Sequence, residues 1–268
     1  MVDHSTPGAV HTGFGVCELS TGGGVDRHVH SFEETFFVLE GTLVIDTPEA
    51  LVELGPGDYG MVPVGVPHSW RNGSTAPARW ADLLTPQPRP WFNEDTFFLT
   101  GSVEREAIRV DPRDPRTRSF GHIEPANMES DRQTQDMLAV SASMRTALLV
   151  YSGITVKMMS DQDLGAQLST MFMVQYEPRG VAGAHDHPLE ETYLILEGEV
   201  DGVFDGVPYR LQPGDVAFAG VGAVHEFSNP TDRRVRWLET QSPAPPSRHS
   251  YRFARDWNYL TDRLSKER

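Results

Sequence analysis

The stretch "HVHSFEETFFVLEG" at residues 28–41 returns almost unchanged as "HDHPLEETYLILEG" at residues 185–198. Eight of the fourteen positions are identical, including two histidines and the glutamate four residues after the second of them. Displacing the chain by 157 residues extends the match without a gap from 28 to 88. Pro56-Gly57-Asp58 meets Pro213-Gly214-Asp215, His68 meets His225, Asn72 meets Asn229, and Arg79-Trp80 meets Arg236-Trp237. A repeat of this length predicts two copies of one domain.

Each copy reads as β. Runs such as "TFFVLEGTLVID" and "TYLILEGEVDGVF" are rich in Val, Ile, Thr and aromatics and are broken by glycine. Asp205-Gly206 is the dipeptide of a tight hairpin. Many short strands with closely spaced turn signals predict an all-β sandwich or barrel in each half. We expect an N-terminal barrel over 1–99, a mostly irregular, proline-punctuated connector over 100–145, a C-terminal barrel over 146–246 and a tail over 247–268. A short helix is expected near Asn127–Asp136. A helical tail is expected from Trp257, Leu260 and Leu264 at i, i+3, i+7.

Residues i and i+2 of a strand point to one side, so His28 and His30 face together, as do His185 and His187. Glu34 and Glu191 have the parity to join them, and His68 and His225 arrive from elsewhere in the sheet. Six of the ten histidines thus fall into two identical constellations. Surface and core histidines are common singly, but packing alone does not write the same pattern twice. Three imidazoles and a carboxylate suit a divalent transition metal, one per barrel: Fe, Mn, Ni, Cu, Co or Zn. Four protein ligands leave two positions open on an octahedral ion, for Lewis-acid chemistry or for binding O2 beside substrate. Glu33 and Glu190 have the opposite parity and are expected to point away from the metal. Asn72 and Asn229 are expected to hold the turn after the last histidine.

At this point the pattern resembles the two-part motif of the cupins, HisXHis(X)3Glu(X)6Gly followed by Gly(X)5ProXGly(X)2His(X)3Asn. The first copy fits throughout: Gly22, His28, His30, Glu34, Gly41, then Gly57, Pro63, Gly65, His68 and Asn72. The second departs only in Arg179, where the motif leads with glycine, and Gly220, where it has proline. The resemblance implies two jelly-roll (double-stranded β-helix) barrels, each with a metal held by three histidines and the glutamate. Fifteen residues separate the motif halves in both copies (42–56 and 199–213), a spacing similar to that of microbial cupin enzymes.

Similarity to bicupin quercetinases and gentisate-type enzymes implies a bacterial, metal-dependent dioxygenase, with Fe(II) the favoured ion and an aromatic or enolic substrate beside O2. Glu34 or Glu191 is then the candidate base. Phe36, Phe37, Met158, Met171, Met173 and Phe218 are candidates to line the barrels, against ordinary core packing. The alternative is a non-oxidative bicupin: an isomerase, a decarboxylase or a hydrolase like the ureidoglycine aminohydrolases. A non-catalytic binder ranks third, since both ligand sets are intact. The longer segment preceding the second copy makes its site the expected catalytic one. Arg118, His122 and Arg145 are candidates to hold an anionic substrate at a pocket mouth, with solvent exposure the default.

The bulk composition narrows the partners. The formal charge of −15 argues against nucleic acid and anionic membranes, which select basic surfaces. Basic residues are 21 Arg against Lys157 and Lys266, a bias expected of a GC-rich genome. Cys17 is the only cysteine, so an internal disulfide is impossible. No apolar run approaches the ~20 residues of a membrane span, and the first fifteen residues lack a signal-peptide pattern. The expectation is a cytoplasmic protein with a small-molecule partner, compatible with a homodimer.

Overall fold

In the computed structural model, residues 1–89, 95–101, 105–129, 146–149, 153–245 and 252–253 are described. The first half runs β1 (Gly13–Leu19), β2 (Gly24–His30), β3 (Glu33–Glu40), β4 (Leu43–Asp46) and β5 (Leu51–Leu54). It continues with β6 (Asp58–Val62), β7 (His68–Asn72), β8 (Ala78–Thr85) and β9 (Thr96–Phe98). The middle segment adds β10 (Ala107–Arg109) and β11 (Phe120–His122). The second half runs β12 (Thr146–Leu149), β13 (Ile154–Ser160), β14 (Thr170–Tyr176), β15 (Val181–Asp186) and β16 (Glu190–Glu197). It ends with β17 (Val200–Phe204), β18 (Val207–Leu211), β19 (Val216–Ala219), β20 (His225–Ser228), β21 (Val235–Ser242) and β22 (Arg252–Phe253).

Each half is two facing sheets. In the first, β1-β8-β3-β6-β11 lies opposite β10-β5-β4-β7-β2-β9; in the second, β12-β13-β14-β21-β16-β19 lies opposite β18-β17-β20-β15-β22. These are the two tandem jelly-roll barrels. The middle segment is less irregular than its composition suggests: β10 pairs with β5 and β11 with β6, extending both sheets of the N-terminal barrel. Its expected helix near 127–136 is represented by a 3-10 turn at Pro125–Met128. Residues 130–145 and the 257–264 helix expected in the tail lie outside the described residues.

Alternation along a strand explains why β3 is buried on both faces. Phe36 and Val38 enter the N-terminal barrel with Leu43, Ile45 and Trp70. Phe37 turns the other way, into a core shared with Met61, Leu83, Met171, Met173, Leu194 and Leu238 of both barrels. Phe172, Tyr193, Ile195, Phe227 and Trp237 fill the C-terminal barrel. Of the residues expected to line the barrels, Phe37, Met171 and Met173 therefore cement the barrels together. Each buried side chain of that size contributes about 1.5–3 kcal/mol.

The turns hold the sheets in register. Asp205 (φ 48°) and Gly206 (φ 82°) close the β17–β18 hairpin, with Phe204 opposite Val207. The motif glycines Gly41 and Gly198 both sit at φ 76°, where a Cβ would meet backbone 2.8 and 2.4 Å away. Asn72 donates to the carbonyls of Leu19 and Ala76 and accepts from the Ser74 N–H; Asn229 does the same with Glu177, Arg233 and Thr231. Both asparagines thus secure the turn, as expected.

Candidate metal centres

Both histidine strands carry a β-bulge just before the first histidine, where the register slips between Val25 and His28 and between Ala182 and His185. The slip sets His28 directly opposite His68, and His185 opposite His225. Bulges re-aim side chains in this way near functional sites. The bulge carbonyls also orient the rings: His28 Nδ1 donates to Asp26 O (2.7 Å) and His185 Nδ1 to Gly183 O (2.8 Å). His30 donates to Phe32 O, His187 to Leu189 O, His68 to Val66 O and His225 to Ala223 O. A carbonyl accepts only, so each of the six rings carries a proton on Nδ1 and, when neutral, presents Nε2 as a lone pair.

In the N-terminal barrel, one donor atom from each of His28, His30, Glu34 and His68 lies within 4.8 Å of all the others, and all four residues are buried. Glu34 Oε2 stands 3.1 Å from His30 Nε2 and 3.0 Å from His68 Nε2. Two nitrogen lone pairs facing one carboxylate oxygen at this range repel unless a cation sits among them. A metal ion held by His28, His30, His68 and Glu34 would meet that demand, and N and O donors suit a transition metal. Where no metal ion sits among them, protons on Nε2 take its place: burial resists ionisation of Glu34, but hydrogen bonds and charge from the imidazoles of His30 and His68 prevail and hold its pKa at about 2. Burial also resists protonation of His68, yet Glu34 raises it, whereas burial lowers His28.

In the C-terminal barrel the mutually close set is His185, His187 and His225. Glu191 joins it through His187 Nε2 (2.9 Å) and His225 Nε2 (3.3 Å). Beyond that contact with Glu191, the buried His225 Nε2 has no partner among the described residues, as befits an atom kept for a metal. The Glu191 carboxylate has further company: Oε1 accepts from Gln241 Nε2 (2.6 Å) and Oε2 from the Tyr193 hydroxyl. Burial resists the anion, but His187 and His225 hold its pKa well below the carboxylate range. The phenol is therefore bonded to a carboxylate that stays ionised.

Sequence reasoning alone does not single out Tyr193 and Gln241. Their signal lies in the repeat itself, since the 157-residue displacement sets them against Phe36 and Leu84. It likewise pairs Asp82 with Glu239, a second, half-buried acid in each barrel whose pKa is shifted well above its usual value, first by burial and then by the Glu34 or Glu191 charge. Of the candidate anion clamps, His122 is pinned to Asp58 (2.8 Å) beside Thr42, Glu53 and Arg109, and Arg118 is exposed. Arg145 lies outside the described residues. Glu33 and Glu190 point away from the histidines, as their parity requires, and bind main chain of the opposite barrel.

Comparison with known proteins agrees with the fold. The chain is 27% identical over 169 residues to the dimethylsulfoniopropionate lyase DddQ of Ruegeria pomeroyi, covering 61% of this chain and 80% of that protein. Its backbone superposes on the salicylate 1,2-dioxygenase of Pseudaminobacter salicylatoxidans with a TM-score of 0.68 at 14% identity, over 99% of this chain and 77% of that one. It superposes on the oxalate decarboxylase of Bacillus subtilis, studied for its Mn(II) centres, with a TM-score of 0.62 at 15% identity, over 96% and 76%. No helix among the described residues is long and apolar enough to cross a membrane. The cupin-domain family model matches residues 15–84 and again 172–240, together more than half of the chain, so this protein belongs to the cupins and carries the domain twice.

Proposed function

We propose that the chain is a metal-dependent enzyme that moves a proton on a small carboxylate-bearing molecule, with the C-terminal barrel as its reaction site. The carrying observation is the Tyr193 hydroxyl on the Glu191 carboxylate, present in one copy of an otherwise shared ligand set. His185, His187, His225 and Glu191 would hold the ion there, and His28, His30, His68 and Glu34 would hold the other. A divalent ion supplies a Lewis acid that binds the substrate carboxylate and acidifies its neighbouring carbon.

The remaining work falls to this chain's own side chains. Glu191 stays anionic beside His187 and His225 and aims the Tyr193 oxygen by accepting its hydrogen bond; Tyr193, having released its own proton to solvent, takes one from the substrate and is a phenol on Glu191 again. Gln241 fixes the other carboxylate oxygen, so the accepting oxygen keeps its aim. In an elimination, the electron pair of the broken C–H bond expels the leaving group as a double bond forms. Carboxylates are the shared feature of the compounds named in the three relatives, and the DddQ relative supports a lyase.

The dioxygenase reading keeps a foothold in the N-terminal barrel. There Phe32 stacks on His30 (centroids 4.1 Å, 10°) and Phe98 lies 5.8 Å from His28, aromatic neighbours suited to a ring substrate. One experiment separates the two. Mn(II)- or Fe(II)-loaded protein is offered dimethylsulfoniopropionate, oxalate and salicylate, with dissolved O2 followed. Proton-transfer chemistry proceeds without O2, and Tyr193→Phe lowers kcat by about 10²-fold or more while metal content is kept. Stoichiometric O2 uptake, or an unimpaired Tyr193→Phe, overturns the proposal.

A further inference from the structure

Each metal-ligating glutamate is preceded by another glutamate whose carboxylate leaves its own barrel. Glu33, 2% exposed, accepts the main-chain N–H groups of Gln167 (2.8 Å), Leu168 (3.3 Å) and Ser169 (3.1 Å), and the Ser169 hydroxyl (2.7 Å). Glu190, fully buried, accepts those of Val10 (2.7 Å), His11 (3.0 Å) and Thr12 (2.9 Å). The arrangement is reciprocal: Val10, His11 and Thr12 fall on Gln167, Leu168 and Ser169 under the same 157-residue displacement. The matched pair Thr85 and Ser242 meet between the barrels, hydroxyl to hydroxyl, at 3.2 Å. Among the described residues neither glutamate forms an ion pair, so three successive N–H groups carry each buried charge, as in an anion nest.

From this geometry we infer that Glu33 and Glu190 are positioning residues for the metal ligands Glu34 and Glu191, so that each metal centre is held in shape by main chain of the other barrel. The peptide joining Glu33 to Glu34 is planar and rigid, and the two side chains leave on opposite faces of β3. Clamping one side chain in a nest therefore fixes the direction of the next. The same holds for Glu190 and Glu191 on β16. The segment 10–12 is accordingly part of the C-terminal metal centre, and 167–169 part of the N-terminal one. Outer partners of metal ligands typically change affinity by about 10- to 100-fold, and these lie one residue from the ligand. The inference rests on both ligand sets holding metal, as proposed above.

The test is Mn(II) titration followed by electron paramagnetic resonance, on full-length protein with one site disabled. In a His68→Ala background only the C-terminal centre binds, and Glu190→Gln is expected to weaken it by about tenfold or more. In a His225→Ala background Glu190→Gln leaves the N-terminal centre within about twofold, and Glu33→Gln gives the mirror result. Val10→Pro, which removes one donor at an exposed position, keeps the test open if Glu190→Gln does not fold, and it too weakens only the C-terminal centre. Equal losses at both centres, or no loss at either, overturn the inference. Should the parent bind no Mn(II), the metal reading fails by itself, and hydrogen exchange decides the positioning role: Glu190→Gln speeds exchange in β16 and not β3. A uniform change across both barrels overturns it.

Discussion

In the N-terminal barrel the ligand carboxylate Glu34 meets an indole N–H, Trp70 Nε1, at 3.1 Å; in the C-terminal barrel its counterpart meets an amide and a phenol. Phe36 against Tyr193, Leu84 against Gln241 and Trp70 against Phe227 account for the difference, all at matched positions of the repeat. The histidines, their carbonyl acceptors and the bulge that aims them are the same. Duplication has thus kept the metal cradle twice and changed what touches the carboxylate. An indole N–H steadies an anion and has no proton to exchange at neutral pH. A phenol can give and regain one. The cradle speaks for metal binding in both barrels, and the carboxylate's neighbours speak for proton chemistry in one.

The harshest test of that contrast removes one metal ligand at a time. His225→Ala is expected to abolish turnover, by about 10³-fold or more, while His68→Ala leaves it within about threefold; steady-state kinetics with metal analysis on each variant checks both. If only His68→Ala abolishes turnover, the assignment to the C-terminal barrel is wrong. Stripping both ions with a chelator leaves the carboxylate and imidazoles of each centre crowded without their cation. Restoring metal to 100 times its Kd should stabilise the chain by about 2.7 kcal/mol per site, read as a rise in Tm.

A smaller effect separates the two half-buried acids. Asp82 is driven up in pKa by burial and by the Glu34 charge; its Oδ2 accepts a weak bond from the Cys17 thiol at 3.8 Å, and among the described residues its Oδ1 has no hydrogen-bond partner. Glu239 is raised for the same reasons but accepts from Trp237 Nε1 at 2.9 Å. A carboxyl with a raised folded pKa costs stability as pH climbs from its unfolded value of 3.8 toward the folded one. Asp82→Asn should therefore be near neutral at pH 4 and stabilising at pH 7, by on the order of 1 kcal/mol or more. Glu239→Gln should stabilise less, because it weakens the indole contact. Urea midpoints at the two pH values decide, and equal gains at both pH values would refute the account.

Much of this was legible in the chain because it is local or repeated. The ligand set follows from His-x-His parity and the distance to Glu34, and the hairpin at Asp205-Gly206 from φ values few other residues adopt. The barrel count follows from the displacement of 157. What escaped depends on contacts that no spacing encodes. Glu33 and Glu190 could be read as pointing away from the metal, but their partners lie 134 and 180 residues distant. Strands β10 and β11 were hidden in a proline-punctuated segment, because three-residue edge strands carry too little pattern to stand out. Tyr193 was visible as a difference between copies but became chemical only when its hydroxyl was seen on Glu191.

The mildest prediction concerns an outer pin that, among the described residues, one barrel has and the other lacks. Asp58 accepts the Gly55 N–H at 2.7 Å and Asp215 accepts the Gln212 N–H at 2.9 Å, so both close the same turn. Asp58 additionally receives His122 Nδ1 from β11 at 2.8 Å, and that hydrogen bond raises the His122 pKa. A histidine raised above its unfolded value of 6.5 contributes stability that is full below that pH and fades as pH rises through the folded value. The His122 side chain is 40% exposed, so solvent screening limits the gain to a few tenths of a kcal/mol, at most about 1. His122→Gln should therefore lower the urea midpoint at pH 6 and change it little at pH 9. Asp215→Asn in the other barrel should show no such pH dependence. A His122→Gln penalty as large at pH 9 as at pH 6 would mean that the neutral imidazole holds β11 as well as the charged one, and the charge on the pin would be incidental.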